Sequence, residues 1–398
     1  MNREFFSLKL SEIADVVAGQ SPESIYYSNI EGVPFLQGNR TFGTLYPSID
    51  TFTSKVTKLA KKDEVLMSVR APVGDLNFAP CDLCIGRGLA SIKAKNGNNK
   101  FIYYALKYNI KNLLRQGSGT TFDSVNKDVI NDLELIVPED KEARNNVTNV
   151  LSALDSKIEL NNRINAELEA MAKTLYDYWF VQFDFPDKNG KPYKTSGGTL
   201  VWNEELKREV PKGWEVKNLT EEMDLQYGFP FSTELFNDDG IGVPVIRIRD
   251  ILNCSISNYS TEEVDNKYRI NIGDIIVGMD GNFHINYWNR DNCYLNQRSL
   301  RIRSNNESIS EIQARYSIEP FIQAREKNVS RTTVAHLSAK DVNDLKILKA
   351  YNEFQIKANS FFNSNLEKIV SNRIQNHKLT ELRDWLLPML MNGQVKVN

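Results

Sequence analysis

The side chains in this sequence best suited to act on another molecule are amides, guanidinium groups and hydroxyls, placed where strand-like runs end in polar loops. In the first half they are Gln37, Asn39, Arg40, Arg70, Arg87, Thr120 and Thr121. In the second half they are Arg247, Arg249, Asn282, His284, Gln297, Arg298, Arg331, Thr332 and Thr333. Arginine forks guanine through two acceptors, and asparagine or glutamine forks adenine. The hydroxyls and small residues of Gly117-Ser-Gly-Thr-Thr121 and Val329-Ser-Arg-Thr-Thr333 suit phosphate contact. Any one loop arginine is more often merely solvated. What points to DNA is a set of such groups that occurs twice.

Enzyme signatures are missing. The sequence has no G-x-x-x-x-G-K-[ST] and no G-x-G-x-x-G, hence no obvious phosphate cradle, and it has no G-x-S-x-G. It also lacks the Asp/Asn-Pro-Pro-aromatic loop and glycine-rich cofactor turn of an adenine methyltransferase. Pro186-Asp187 with Glu205-Leu-Lys207 fits the letters of a metal-dependent nuclease core, where two carboxylates hold Mg²⁺ and a lysine steadies the attacking water. These residues bracket Lys188-Asn-Gly-Lys191 and Ser196-Gly-Gly198, so a solvated linker is the better reading. Cys81 and Cys84 form a single C-x-x-C, and His284, His336 and His377 all lie far from it. A structural zinc site usually needs two such pairs or nearby histidines. The four cysteines, with Cys254 and Cys293, therefore read as free thiols of a reducing compartment, with no metal.

The formal net charge of −2 argues against a basic coat over the whole molecule but not against a local basic cleft. The start, Met1-Asn-Arg-Glu-Phe-Phe-Ser7, is too polar for a signal peptide. No apolar run approaches the roughly 18 residues of a membrane span. A cytoplasmic protein is expected.

The elements that must position these residues are written twice. Leu10-Ser-Glu and Gly19 match Leu219-Thr-Glu and Gly228; Asp63 before an apolar run matches Asp274; Arg87 matches Arg298; Asp132 matches Asp344; Asn162-Arg-Ile matches Asn372-Arg-Ile. The offsets run from 228 − 19 = 209 to 344 − 132 = 212. A repeat this long is a duplicated domain, since solenoid units have periods of about 20–50 residues. The framework repeats while the polar loops differ: Val69-Arg-Ala-Pro-Val-Gly74 stands against Met279-Asp-Gly-Asn-Phe-His284.

Residues 1–138 and 214–350 read as β-rich domains, with strands at Val33-Pro-Phe-Leu36, Val65–Val69, Leu89–Ile92, Val243–Ile248, Asp274–Val277 and Leu300–Ile302. Phe101–Arg115 has helical spacing. Residues 139–182 and 351–398 read as two long helices, and 183–213 as a turn-rich linker with hairpin signals. Leu154, Ile158, Asn161, Leu168 and Leu175 on the first helix, with Leu366, Ile369, Val370 and Leu382 on the second, fall at three-four spacing. That is a coiled-coil seam whose polar position would fix register. The expected fold is α+β, with two similar β-rich domains separated by two long antiparallel helices in a pseudo-twofold arrangement. About 30 helical residues span about 45 Å, near the roughly 34–36 Å of one DNA turn. A coiled-coil adaptor and a self-contained metal-dependent nuclease are the alternatives from other classes.

Three segments carry a family resemblance. Leu382-Arg-Asp-Trp-Leu-Leu-Pro-Met-Leu-Met-Asn-Gly-Gln-Val-Lys-Val397, Thr174-Leu-Tyr-Asp-Tyr-Trp-Phe-Val-Gln-Phe-Asp-Phe-Pro186, and Trp202-Asn-Glu-Glu-Leu206 with Pro211-Lys-Gly-Trp214 resemble the specificity subunit of type I restriction–modification systems. The resemblance implies two target recognition domains, each reading half of a split double-stranded DNA site. It implies helices that set the gap and dock two methyltransferase (modification) subunits, to which two restriction/translocase subunits can be added. It implies no catalytic residue and no cofactor in this chain, with S-adenosylmethionine, ATP and Mg²⁺ in the partner subunits. The differing loops then imply two different half-sites and an asymmetric target.

Overall fold

The computed structural model describes residues 5–116, 124–138, 140–281, 283–305, 308–327 and 336–395. It divides into two compact units, Met1–Leu160 with Asn376–Asn398, and Asn161–Gln375. The division falls inside both long helices. No helix among the described residues is long and apolar enough to cross a membrane.

In the first unit, β1 (Phe5–Lys9) leads into β2 (Ala14–Ala18), β3 (Val33–Leu36), β4 (Val65–Ser68), β5 (Leu76–Phe78), β6 (Leu83–Ile85) and β7 (Leu89–Ala94). Then come α1 (Asn99–Gln116), β8 (Glu134–Pro138) and the start of α2 (Lys141–Tyr176). An antiparallel sheet has the order β2-β7-β4-β5. A second sheet pairs β3 with β6 in parallel, Phe35 opposite Cys84. β1 pairs with β8. The central strand β4 is buried on both faces, and because successive side chains alternate it serves two cores. Val65 and Met67 join Ile92, Tyr104 and Leu106, while Leu66 joins Leu36, Leu83 and Ile85. The last helical turns of the chain add Leu387, Leu390 and Met391 to the first of these cores.

The second unit opens with the aromatic end of α2. A short π-helix, Asp177–Val181, continues it and sets Trp179 edge-on to Phe354 and Phe361. The hairpin β9 (Leu200–Asn203) and β10 (Arg208–Pro211) follows. Composition makes 183–213 look like a solvated linker, but Phe183, Phe185 and Val210 are buried in the main core with Trp214 and Phe354. Aromatic burial ties this stretch down, and the turn residues supply only the bends between.

Next come β11 (Glu215–Asn218), β12 (Met223–Tyr227), β13 (Val243–Ile246), β14 (Asn258–Ser260), β15 (Ile275–Gly278), β16 (Ile285–Tyr287), β17 (Cys293–Leu295) and β18 (Ser299–Ser304). They are followed by α3 (Glu311–Lys327), β19 (Lys346–Lys349) and α4 (Asn352–Met391). The topology repeats the first unit. The order β12-β18-β15-β16 is antiparallel, β13 and β17 are parallel with Val245 opposite Tyr294, and β11 pairs with β19.

The structural offset is 210 in the strands that flank the loops: 275 − 65 for the central strands and 295 − 85 for the parallel ones. This corrects two pairings taken from the letters alone. Asp63 has φ 64° and corresponds to Gly273, with φ 92°. The buried acid equivalent to Asp274 is therefore Glu64. Likewise, the backbone N–H of Val69 donates to Gly88 and that of Met279 to Arg298. Arg298 thus stands where the first unit has Gly88, and Gln297 is the counterpart of Arg87.

Candidate functional site

In the first unit, most of the described candidates gather on loops at one end of the strands. Gly19 lies so close to the chain at Gly86 that a Cβ would overlap the Gly86 carbonyl. Glycine there lets the Gln20–Ser21 segment approach the turn after β6, and the Ser21 hydroxyl donates to Gln37 Oε1 at 2.9 Å and accepts from the Arg87 N–H at 3.2 Å. Asn39 Nδ2 donates to Asp75 at 2.6 Å, joining the loop after β3 to the loop after β4. Arg40 pairs with Asp50 at 2.6 Å, both exposed. Arg70 and Arg87 are exposed, and no side-chain bond to either guanidinium is found among the described residues.

The second unit uses the same frame. Gly228 would overlap the Asn296 carbonyl if it carried a Cβ. Arg247 and Arg249 stand where the first unit has Gln37 and Asn39 (247 − 37 = 210 and 249 − 39 = 210). Both converge on Asn258 Oδ1, at 3.0 and 2.6 Å, and Asn258 Nδ2 is fixed by Asp238 at 2.6 Å. The Arg247 guanidinium also lies 5.7 Å from the Phe236 ring.

Gln297 is exposed. Arg298, exposed and at φ 62°, donates to Asp280 at 2.8 Å. The same carboxylate meets His336 Nδ1 at 2.6 Å. Burial works to raise the Asp280 carboxyl, but the hydrogen bonds from His336 and Arg298 outweigh it and hold it below the usual carboxylate range. His284 contributes its backbone carbonyl to Gly278 N–H, closing the loop between β15 and β16.

Thr120, Thr121, Asn282, Arg331, Thr332 and Thr333 lie outside the described residues. Sequence reasoning missed Asp280, His336, Asn258 and Asp238. Asp280 sits in the loop whose divergence is plain in the sequence, but its role depends on pairing with residues 18 and 56 positions away.

The nuclease-like letters do not form a joint site. Asp187 Oδ1 caps its own turn through the N–H groups of Asn189 and Lys191. Glu205 pairs with Lys346, and Lys207 with Glu204. The cysteines are free, with Cys84, Cys254 and Cys293 buried. Among the described residues no cluster of His, Cys, Asp or Glu is placed to hold a metal.

The long helices meet antiparallel within each unit through buried polar groups. In the second unit Asn161 donates to Gln375 at 2.7 Å, Asn372 to Asn165 at 2.8 Å, and Arg373 to Glu169 at 2.9 Å. In the first, Arg383 donates to Asp155 at 2.7 Å, and the other oxygen of Asp155 accepts from Tyr104 at 2.6 Å. Burial, then the Asp155 charge, push the Tyr104 hydroxyl far up. Ile158, Leu366, Ile369 and Val370 are buried, and Leu154, Leu168 and Leu175 are half-buried. Leu382 is 42% exposed, and the buried position beside it belongs to Arg383, which the Asp155 charge draws inward.

Two sheet-rich domains with one shared frame, polar loops at matching places and paired long helices define a class of duplicated recognition protein. The chain belongs to the family of the type I restriction modification DNA specificity domain, whose model matches residues 2–170 and 211–348. It is 24% identical over 435 aligned positions to the type I restriction enzyme MjaIX specificity subunit of Methanocaldococcus jannaschii, covering 98% of this chain and 93% of that one. A second M. jannaschii protein, named for the type I restriction enzyme MjaX specificity subunit, is 37% identical over 163 residues, 40% of this chain and 38% of the relative. The crystal structure of the type I restriction–modification S subunit from M. genitalium matches in fold, with a TM-score of 0.58 at 18% identity over 98% of this chain and 97% of that one.

Proposed function

We propose that this chain is the non-catalytic DNA-reading subunit of a cytoplasmic type I restriction–modification complex, in which each domain reads one half of a split, asymmetric double-stranded site. The observation that carries this reading is the pair of matched loop sets. Gln37 and Asn39 stand where Arg247 and Arg249 do, which favours adenine edges in one half-site and guanine edges in the other. The long helices set the unread gap. Their outer faces dock two methyltransferase subunits, and two restriction/translocase subunits can join. S-adenosylmethionine, ATP and Mg²⁺ act in those partners.

The test is selection of bound duplexes from a randomised pool by the chain assembled with its methyltransferase partner. Two separated blocks of unlike sequence are expected. A single contiguous block, or no block, overturns the reading. Inserting four residues beside Asn161 adds about 6 Å of helix and is expected to lengthen the gap by one to two base pairs. An active complex with an unchanged gap removes the helices from that role. Purified chain alone, given S-adenosylmethionine, Mg²⁺ and DNA, is expected neither to methylate nor to cut.

A further inference from the structure

Three backbone segments meet at Asp280 in the second unit. The N–H of Met279 donates to the Arg298 carbonyl at 2.9 Å, and its own carbonyl accepts from Leu337 N–H at 2.8 Å. Asp280 and His336 then face each other as an isolated antiparallel bridge. The Asp280 side chain is only 16% exposed, whereas those of Arg298 and His336 are 69% and 60% exposed. A largely covered carboxylate thus holds two outward groups side by side.

The protonation pattern follows from that geometry. Asp280 is ionised, because its hydrogen bonds outweigh its burial. With the ring proton at Nδ1 facing the carboxylate, the uncharged form of the His336 imidazole presents Nε2 as an acceptor. Arg298 gives one Nη1–H to Asp280 and keeps the rest of its five-donor fork. The cluster therefore offers donors beside one acceptor. In the major groove a G·C pair shows two acceptors, guanine N7 and O6, beside one donor, the cytosine amino group. The backbone adds a second sign. Arg298 sits at φ 62°, a conformation unfavourable for a side-chain-bearing residue and concentrated at functional sites, yet its side chain gains little burial there.

We propose that Asp280 is a positioning residue that holds Arg298 and His336 together as the reader of one G·C pair, Arg298 donating to guanine and His336 Nε2 accepting from cytosine. This rests on the reading of the chain as a DNA-recognition subunit. The first unit has Arg70, Gly88 and Ser124 at the corresponding frame positions, joined by the same backbone bonds, Val69 N–H to Gly88 and Val125 N–H to Val69. None of these three residues is a carboxylate.

The competing role is a plain ion pair fastening three loops. Bound-duplex selection with the assembled complex, alongside melting curves, separates the two. Arg298→Ala is expected to reduce preference for G·C at one position of one half-site by about 5- to 140-fold, the discrimination of a bidentate pair converted at tenfold per 1.4 kcal/mol. Asp280→Asn and His336→Ala are expected to relax the same position by less. Arg298→Gln decides the matter: a reader is expected to shift preference at that position from guanine toward adenine, which the loss of a fastening ion pair would not do. Wild-type preference in Arg298→Gln, or lowered melting with an unchanged base profile in all variants, overturns the inference alone. A wild-type complex that selects no split site overturns the proposed function, and this inference with it.

Discussion

Where β4 leaves the first sheet, Arg70 extends from the frame, and no bond to its guanidinium is found among the described residues. At the equivalent exit from β15, Asp280 binds Arg298 and His336. One residue earlier in both domains, the same backbone N–H and carbonyl, those of Val69 or Met279, stitch the same three segments together. The comparison separates what a recognition domain must keep from what it can vary. Main-chain bonds and the glycine at 19 or 228 fix the frame, so side chains on it can reverse charge without moving the loops. The buried acid shows the same principle one layer down. Glu64 accepts from the Ser91 hydroxyl at 2.6 Å, whereas Asp274 takes both Nε and Nη2 of Arg303 at 2.6 and 2.7 Å.

The helix seam gives the largest contrast to break. The first unit holds a buried ion pair, Asp155 with Arg383, whereas the buried pair Asn165 with Asn372 in the second is neutral. Asp155→Ala is expected to cost about 3–4 kcal/mol, below the top of the range for a broken buried pair, because Arg383 keeps its ion pair with Asp384 while Tyr104 loses its acceptor. Asn165→Ala should cost only about 1–2 kcal/mol. Chemical denaturation of the full chain reads both, and equal losses would erase the distinction.

The buried acids come next. Asp274→Ala should cost roughly 3 kcal/mol, at the low end for a broken buried pair because Arg303 keeps 28% exposure. Glu64→Ala should cost about 1–2 kcal/mol, the loss of hydrogen bonds to neutral donors. The reverse order in denaturant midpoints would mean that the arginine is not what distinguishes the two sheets.

The glycines should show no contrast at all. Gly19→Ala and Gly228→Ala each push a methyl group into a backbone carbonyl, for about 1–3 kcal/mol of overpacking apiece. A neutral result at either position would show that the frame is shared less closely than the register implies.

Much of this was legible in the letters. Strands bounded by Gly, Pro and Asn, such as Val33–Leu36, and the long helix from Asn352 lie where spacing and punctuation put them. The repeat was legible too, but its register slipped by one at Asp63. An acidic letter at a left-handed turn position looked like the buried acid that follows it. Arg298 was visible as a loop arginine. Its partners were not, because a hydrogen bond across 18 or 56 residues leaves no local pattern. Leu382 falls at seam spacing in the sequence, and only the facing Asp155 explains why its neighbour Arg383 is the buried one. The stretch from Phe183 reads as a solvated linker because turn residues outnumber aromatics there, although burial of Phe183 and Phe185 is enough to anchor it.

The central claim is that each domain owns one half-site. It is tested most directly by replacing residues 214–350 with a second copy of residues 1–138 and sequencing the duplexes that the assembled complex selects. The account predicts that the half-site of the second domain disappears and that of the first appears twice, across a recognisable gap. Selection of the original asymmetric site, or loss of both half-sites by a complex that still assembles and binds DNA, would contradict it.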